Sequence, residues 1–454
     1  MNFLDNIFFA ILLIIGFGYF TLNVKKIIRN INLGRDVNRS DNPSERWKNM
    51  AMIALGQSKM VKRPIAGFLH IIVYVGFIIV NLELLEIIID GLFGTHRVFA
   101  PLGMVYDVLI GSFEILALLV LIVVIVFWTR RNIIKLKRFA SSDLKGSPKN
   151  DANYILYFEV VLMSLFLLMN ASDYHLQNVA GGFGHYIQAG SFPVSQFIAP
   201  IFDGMSNQLV FMLERTFWWL HISIILVFLN YLYFSKHLHI LLAFPNTYFA
   251  DLNAKGKLDN LDSVTKEVKL MMDPNADPFA VQPVDETRGA GELSEANAVP
   301  SKFGASDIQD LNWVQLLNAY TCTECGRCTS SCPANETGKK LSPRKIMMDT
   351  RDRLEEVGRN IDANKGVFVP DNKSLLNDYI SPEELWACTS CNACVEECPV
   401  NISPLSIIMD MRRYLVMEQS AAPMPLNNMM SNIENNGAPW QYNQQDRLNW
   451  KNEN

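Results

Sequence analysis

The chain has 454 residues, of which 50% are hydrophobic and 19% charged, with a net charge of −5. That balance excludes a disordered chain. It also offers no basic surface for nucleic acid, so no nucleic-acid partner is expected.

The hydrophobicity is concentrated in residues 1–245. Five apolar stretches there are long enough, at about 20 residues, to cross a bilayer. They are read as residues 3–24, 65–89, 104–128, 154–170 and 210–234. The first lacks the basic flank and small-residue cleavage site of a signal peptide. Lys25, Lys26, Arg29, Lys59, Lys62 and Arg63 crowd the segment after the first stretch, and Arg130, Arg131, Lys135 and Arg138 the segment after the third. The loop 173–208 has neither Lys nor Arg. The positive-inside rule then predicts a multi-pass protein of the bacterial cytoplasmic membrane, its N-terminus outside and its C-terminal part in the cytoplasm.

Ionisable side chains inside a span are costly and mark function by default. His70 lies early in the second stretch. His221 and His239 lie on the fifth, if that helix runs on to about Phe244. Eighteen residues make five full turns, which would put both imidazoles on one face, about 27 Å apart. His70 and His239 would lie at matching depths and suit the axial positions of a b-type haem. His221 has no histidine opposite it on the second stretch; a second haem would need His175 or His185. His237 is expected to face headgroups or the linker. Glu83, Glu86, Asp90, Asp107 and Glu114 gather toward the other end of the bundle. They would serve a proton path at a quinone pocket, or pair with Arg97 or Arg215.

Residues 246–306 turn polar, with Pro274, Pro278, Pro283, Gly289 and Gly291, and read as a linker. The domain 307–420 follows, and then a polar tail, 421–454, that suits docking to a partner.

All eight cysteines fall in two copies of C-x2-C-x2-C-x3-C-P: Cys322, Cys325, Cys328, Cys332 and Pro333, then Cys388, Cys391, Cys394, Cys398 and Pro399. This is the ligand run of two [4Fe–4S] clusters, in which the cysteine before proline ligates the other cluster. One set is therefore Cys322, Cys325, Cys328 and Cys398; the other is Cys388, Cys391, Cys394 and Cys332. Structural zinc sites use CxxC pairs rather than two four-cysteine runs ending in Pro. Each motif leads into a helix opened by Ser-Pro, at Ser342-Pro343 and Ser403-Pro404. The fold class is all-α: a five-helix transmembrane bundle followed by a helical dicluster ferredoxin domain.

Two resemblances extend this reading. The run Trp218-Trp219-Leu220-His221, with Phe234 to Phe244-Pro245-Asn246, resembles the last helix of the cytochrome b (gamma) subunit of respiratory nitrate reductases. The resemblance implies haem ligation by His239 with His70, and an outer haem at His221 whose second-span partner would fall near Val80. The C-terminal part resembles the two-cluster module of heterodisulfide reductases. Fused relatives continue into cysteine-rich CCG domains after a stretch similar to Asn435-Asn436-Gly437-Ala438-Pro439-Trp440. The implied function is an electron-transfer subunit of a quinone-dependent oxidoreductase complex. It would relay electrons between menaquinone or ubiquinone, haem b and two clusters. Its soluble partner would be a separate CCG protein or a flavoprotein such as electron-transfer flavoprotein. The alternative is a haem-free, membrane-anchored iron–sulfur protein that senses redox state or docks a partner.

Overall fold

The computed structural model describes residues 3–180, 182–274 and 302–452, so much of the expected linker, including Pro278, Pro283, Gly289 and Gly291, lies outside the described residues. The described residues form helices without a strand. Five helices are long and apolar enough to cross a membrane: Phe3–Ile31, Pro64–Phe93, Met104–Asn132, Ser147–Gln177 and Asn207–Phe234. They are called spans one to five below.

Each span outruns its apolar stretch because polar residues at its ends remain helical and find partners. Span four opens on Ser147-Pro148, with proline in the first turn, where its missing N–H costs nothing. Its Asp151 accepts a 2.7 Å hydrogen bond from the Tyr231 hydroxyl, and its Asp173 pairs with Arg97. Span two likewise starts at Pro64 and stops at Gly94, whose φ of +70° suits a residue without a Cβ. Span four packs along spans three and five, and span one along spans two and five.

Span five does not run through to Phe244. Helical geometry ends at Phe234, and Ser235 is extended, with φ −118° and ψ 145°. The Ser235 hydroxyl accepts the backbone N–H of His237 at 3.1 Å, capping a short new turn. The helix His239–Tyr248 follows, with Pro245 inside it rather than beyond its end. Asn246 and Thr247, where the linker was expected to begin, are fully buried. The five-turn phase relation between His221 and His239 therefore does not hold.

The cysteine-bearing domain is built on the helices Trp313–Thr321, Pro343–Ala363 and Pro404–Met417. Its hydrophobic core is continuous with one end of the bundle: Ile27, Ile31, Leu232 and Leu238 join Leu316, Leu317, Ile346 and Val357. Two backbone hydrogen bonds tie Arg35 to the domain, from its N–H to Leu311 and from the Trp313 N–H to its carbonyl. Arg344, 1% exposed, reaches back to the loop between spans three and four. It donates to Asp143 at 2.7 and 3.1 Å and to the Arg138 carbonyl at 2.9 Å. Arg344→Ala leaves Asp143 facing a buried gap without its partner, a loss of about 3–5 kcal/mol for a buried pair. A thermal melt of the detergent-solubilised variant should show a lowered transition, and limited proteolysis should release the cysteine-bearing domain sooner than in the wild type.

Candidate functional site

The cysteine loops are shaped by backbone that few residues tolerate. Glu324, Ser390 and Asn392 have φ between 55 and 59°, and Gly326 has φ +73°. A Cβ on Gly326 would sit 2.6 Å from Arg344 and 3.1 Å from the Arg138 carbonyl, so glycine is required there twice over.

The loops bring the cysteines together in two sets. Cys328 has Cys325, Cys322 and Cys398 as its first charge neighbours, and Cys398 has Cys325. Cys394 and Cys388 each have Cys332 and Cys391 beside them. Cys322, Cys325, Cys328, Cys398 and Cys394 line one cavity, so the two sets adjoin. Among the described residues no three metal-ligating side chains converge on a single point. Sulfurs that surround a cavity without converging fit a cube-sized cluster better than one zinc ion. Burial pushes the Cys322 and Cys394 thiols up to about 12 and Cys398 up to about 11. Thiolates so placed need positive charge from the group they ligate.

The surroundings of the two sets differ. Cations from three segments face the first: Lys59 lies near Cys398, Arg138 near Cys325, and Arg327 near both. Lys59 is also tied to the second motif, donating to Asn401 at 2.8 Å and to the Val395 carbonyl at 3.2 Å. The second set has Arg412 beside Cys388, stacked over Trp386. Its Cys391 is exposed, whereas Cys322, Cys332 and Cys394 are buried.

The first set also lies next to the bundle histidines. Arg327 donates to the Lys59 carbonyl at 3.2 Å and acts electrostatically on His70. His70 is in turn within electrostatic reach of His239. The His239 Nδ1 faces the Lys236 carbonyl at 3.2 Å, which leaves Nε2 for a ligand. The His70 Nδ1 has no hydrogen-bond partner. Both rings are half-buried, with ring surface left free, so they fit the axial positions of a haem. His237 does not face outward as expected. The turn at Ser235 folds its ring to 5.5 Å from His239 and 5.4 Å from Phe228, with Glu159 3.8 Å away.

His221 and His175 are not brought together. His221 is 4% exposed and packs on span four, 5.9 Å from the Phe166 ring. His175 lies nine residues farther along that span, about 14 Å at 1.5 Å per residue. It faces Asp203 at 3.7 Å. His185 lies against His96 and Tyr186 instead.

Sequence reasoning passed over a buried bridge between the two regions. Lys236, three residues before His239, pairs with Glu324, which sits between Cys322 and Cys325. Arg351 holds the other Glu324 oxygen at 2.7 Å. An acidic residue inside a cysteine loop was the available signal.

Residues 321–402 match the 4Fe-4S dicluster domain family. Along 96% of its length the chain is 30% identical to the "Probable iron-sulfur-binding oxidoreductase FadF" of Bacillus subtilis, covering 59% of that protein. It is 27% identical, over 92% of its length, to the "EtfAB:quinone oxidoreductase" of Syntrophomonas wolfei, covering 55% of it. The dicluster region, 24% of the chain, is 32% identical to a component of the ferredoxin/F(420)H(2)-dependent CoB-CoM heterodisulfide reductase of Methanosarcina acetivorans, covering 52% of that component. The chain thus spans little more than half the length of these relatives. No solved structure shows a significant match. The dicluster domain is an iron–sulfur electron-transfer module of the oxidoreductase type.

The crossed ligation can be tested on iron content and paramagnetic spectra. Cys398→Ser should disturb the cluster of Cys322, Cys325 and Cys328, and Cys332→Ser the other, each leaving one intact signal and about half the iron. The unequal charge predicts that Lys59→Met lowers the midpoint potential of one cluster and leaves the other unchanged, read by redox titration of the two signals.

Proposed function

We propose that the chain is the membrane electron-transfer subunit of a quinone-dependent oxidoreductase, with its dicluster domain in the cytoplasm. The name of the Syntrophomonas wolfei relative supports quinone as the membrane substrate and an EtfAB-type flavoprotein as the soluble partner. A CCG-type iron–sulfur protein is the other partner class. The reading rests on one observation. Arg327 lies within electrostatic reach of both His70 and Cys325, so the bundle histidines and the first cysteine set share a neighbour. From there the second set leads to the exposed Cys391.

A haem b held by His70 and His239 would supply one-electron chemistry at the bundle end nearest the clusters. The chain's own residues do the positioning. The Lys236 carbonyl orients the His239 ring, and the Lys236 side chain grips Glu324 in the first cysteine loop. Arg327 joins that loop to the Lys59 and Met60 carbonyls at the entry to span two. Exposure of Cys391 lets a soluble partner approach the second cluster. The likeness of span five to the gamma-type cytochrome b supports haem at His239. The packed surroundings of His221 favour a single haem.

The test is the optical spectrum of the solubilised protein. His239→Ala should lose the reduced b-type bands while retaining both cluster signals, and His237→Ala should keep the bands. An unchanged haem-to-protein ratio in His239→Ala overturns the assignment. A wild-type protein without b-type bands supports the haem-free anchor instead.

A further inference from the structure

At the bundle end opposite the dicluster domain, a cavity runs between spans two, four and five. Exposed Thr95 and half-buried Asp90 lie at its rim. Glu83 lies seven residues deeper on span two, two helical turns or about 10 Å into the bundle. Apolar Ile87, Met169 and Trp218 line the cavity with it.

Almost every charged neighbour is committed. Arg97 donates to Asp173 at 2.7 Å, to the Asn170 side-chain oxygen at 3.0 Å and to the Tyr106 hydroxyl at 3.1 Å. Glu86 accepts from the Tyr106 hydroxyl and the Phe99 N–H, both at 3.0 Å. Glu214 is held by Tyr186 and Arg215. His96 faces Asp173 at 3.6 Å. Glu83 is the exception: it is 3% exposed, and its Oε2 has no hydrogen-bond partner. A carboxyl placed only for packing between spans would be paired, because leaving a polar group unpaired in an apolar setting costs several kcal/mol. Unpaired groups within spans are the ones that carry protons.

We infer that this cavity is a proton-exchange site, in which Glu83 takes a proton from, or gives one to, the aqueous face opposite the clusters. The inference rests on the quinone reading above for its source of protons. Oxidation of one quinol releases two electrons and two protons. The electrons reduce the two clusters by one each, and the protons leave past Glu83 to the far face. In the reverse direction the same face supplies two protons to the quinone. Electrons and protons therefore move toward opposite faces, and turnover is coupled to the membrane potential.

Glu83→Gln preserves shape and removes the exchangeable proton. Two measurements on the full chain test the site. In infrared spectra of the detergent-solubilised protein, the wild type should show a carboxylic-acid carbonyl band that Glu83→Gln lacks and that shifts promptly in D2O. A missing difference band, or one that does not shift in D2O, overturns the proton-exchange site without reference to quinone. In proteoliposomes loaded with a pH-sensitive dye, menaquinol-driven cluster reduction should be at least tenfold slower in Glu83→Gln, while dithionite still reduces both clusters fully. An unchanged rate with an unchanged pH signal also overturns the site. A wild type whose clusters menaquinol cannot reduce overturns the quinone reading, and the infrared result then decides the site alone.

Discussion

The architecture depends on one shared hydrophobic core. Ile27 and Ile31 at the end of span one, with Leu232 and Leu238 around the end of span five, are packed into the same core as Leu316, Ile346 and Val357 of the dicluster domain. A ferredoxin domain on a flexible tether would sample a volume set by linker length. Here the domain is seated by apolar burial, at about 25 cal/mol per Å² removed from water. Electron transfer needs cofactors held in fixed relation, and the shared core supplies it.

Polar contacts then decide the orientation of that seat. Lys59, Arg63 and Arg138 belong to the basic segments between spans, and each is engaged with the dicluster domain. Lys59 bonds Asn401, Arg63 pairs with Glu397 at 2.9 Å, and the Arg138 carbonyl accepts from Arg344. Buried ion pairs contribute little net stability because desolvation offsets their attraction, but a wrong alignment leaves charges unpaired. The Lys236–Glu324–Arg351 bridge works in this way, linking the segment that carries His239 to the loop that carries Cys322 and Cys325. Basic loops that read as a topological signal thus also form the binding face for the domain.

The parts legible beforehand were those whose chemistry is local. Cysteine spacing identifies a cluster because the ligand loop is a few residues long, and the crossed pairing is reproduced in the neighbours of Cys398 and Cys332. The five spans were legible because their length and hydropathy are properties of single helices. The misreadings involved periodicity carried through a break. Helical phase placed His237 opposite His239, whereas the extended Ser235 brings the two rings together. It also placed His221 and His239 on one face, and they belong to separate helices. The linker boundary failed for a related reason: Asn246 is polar, yet it is buried because its side chain donates to the Val400 carbonyl at 2.7 Å.

Sequence by itself determined the helical class, the five apolar spans, the two cysteine sets and the presence of costly ionisable groups within the bundle. These follow from composition, period and spacing, which need no knowledge of what touches what. Only the tertiary structure decided which of those ionisable groups are satisfied. Glu86, Arg97, Asp173 and Glu214 look alike in the sequence to Glu83, and each has a partner on another span or loop, or beside it on its own helix. Glu83 has an oxygen with none. Pairing is a property of distance between helices, and helices far apart in the chain meet only when the fold is complete.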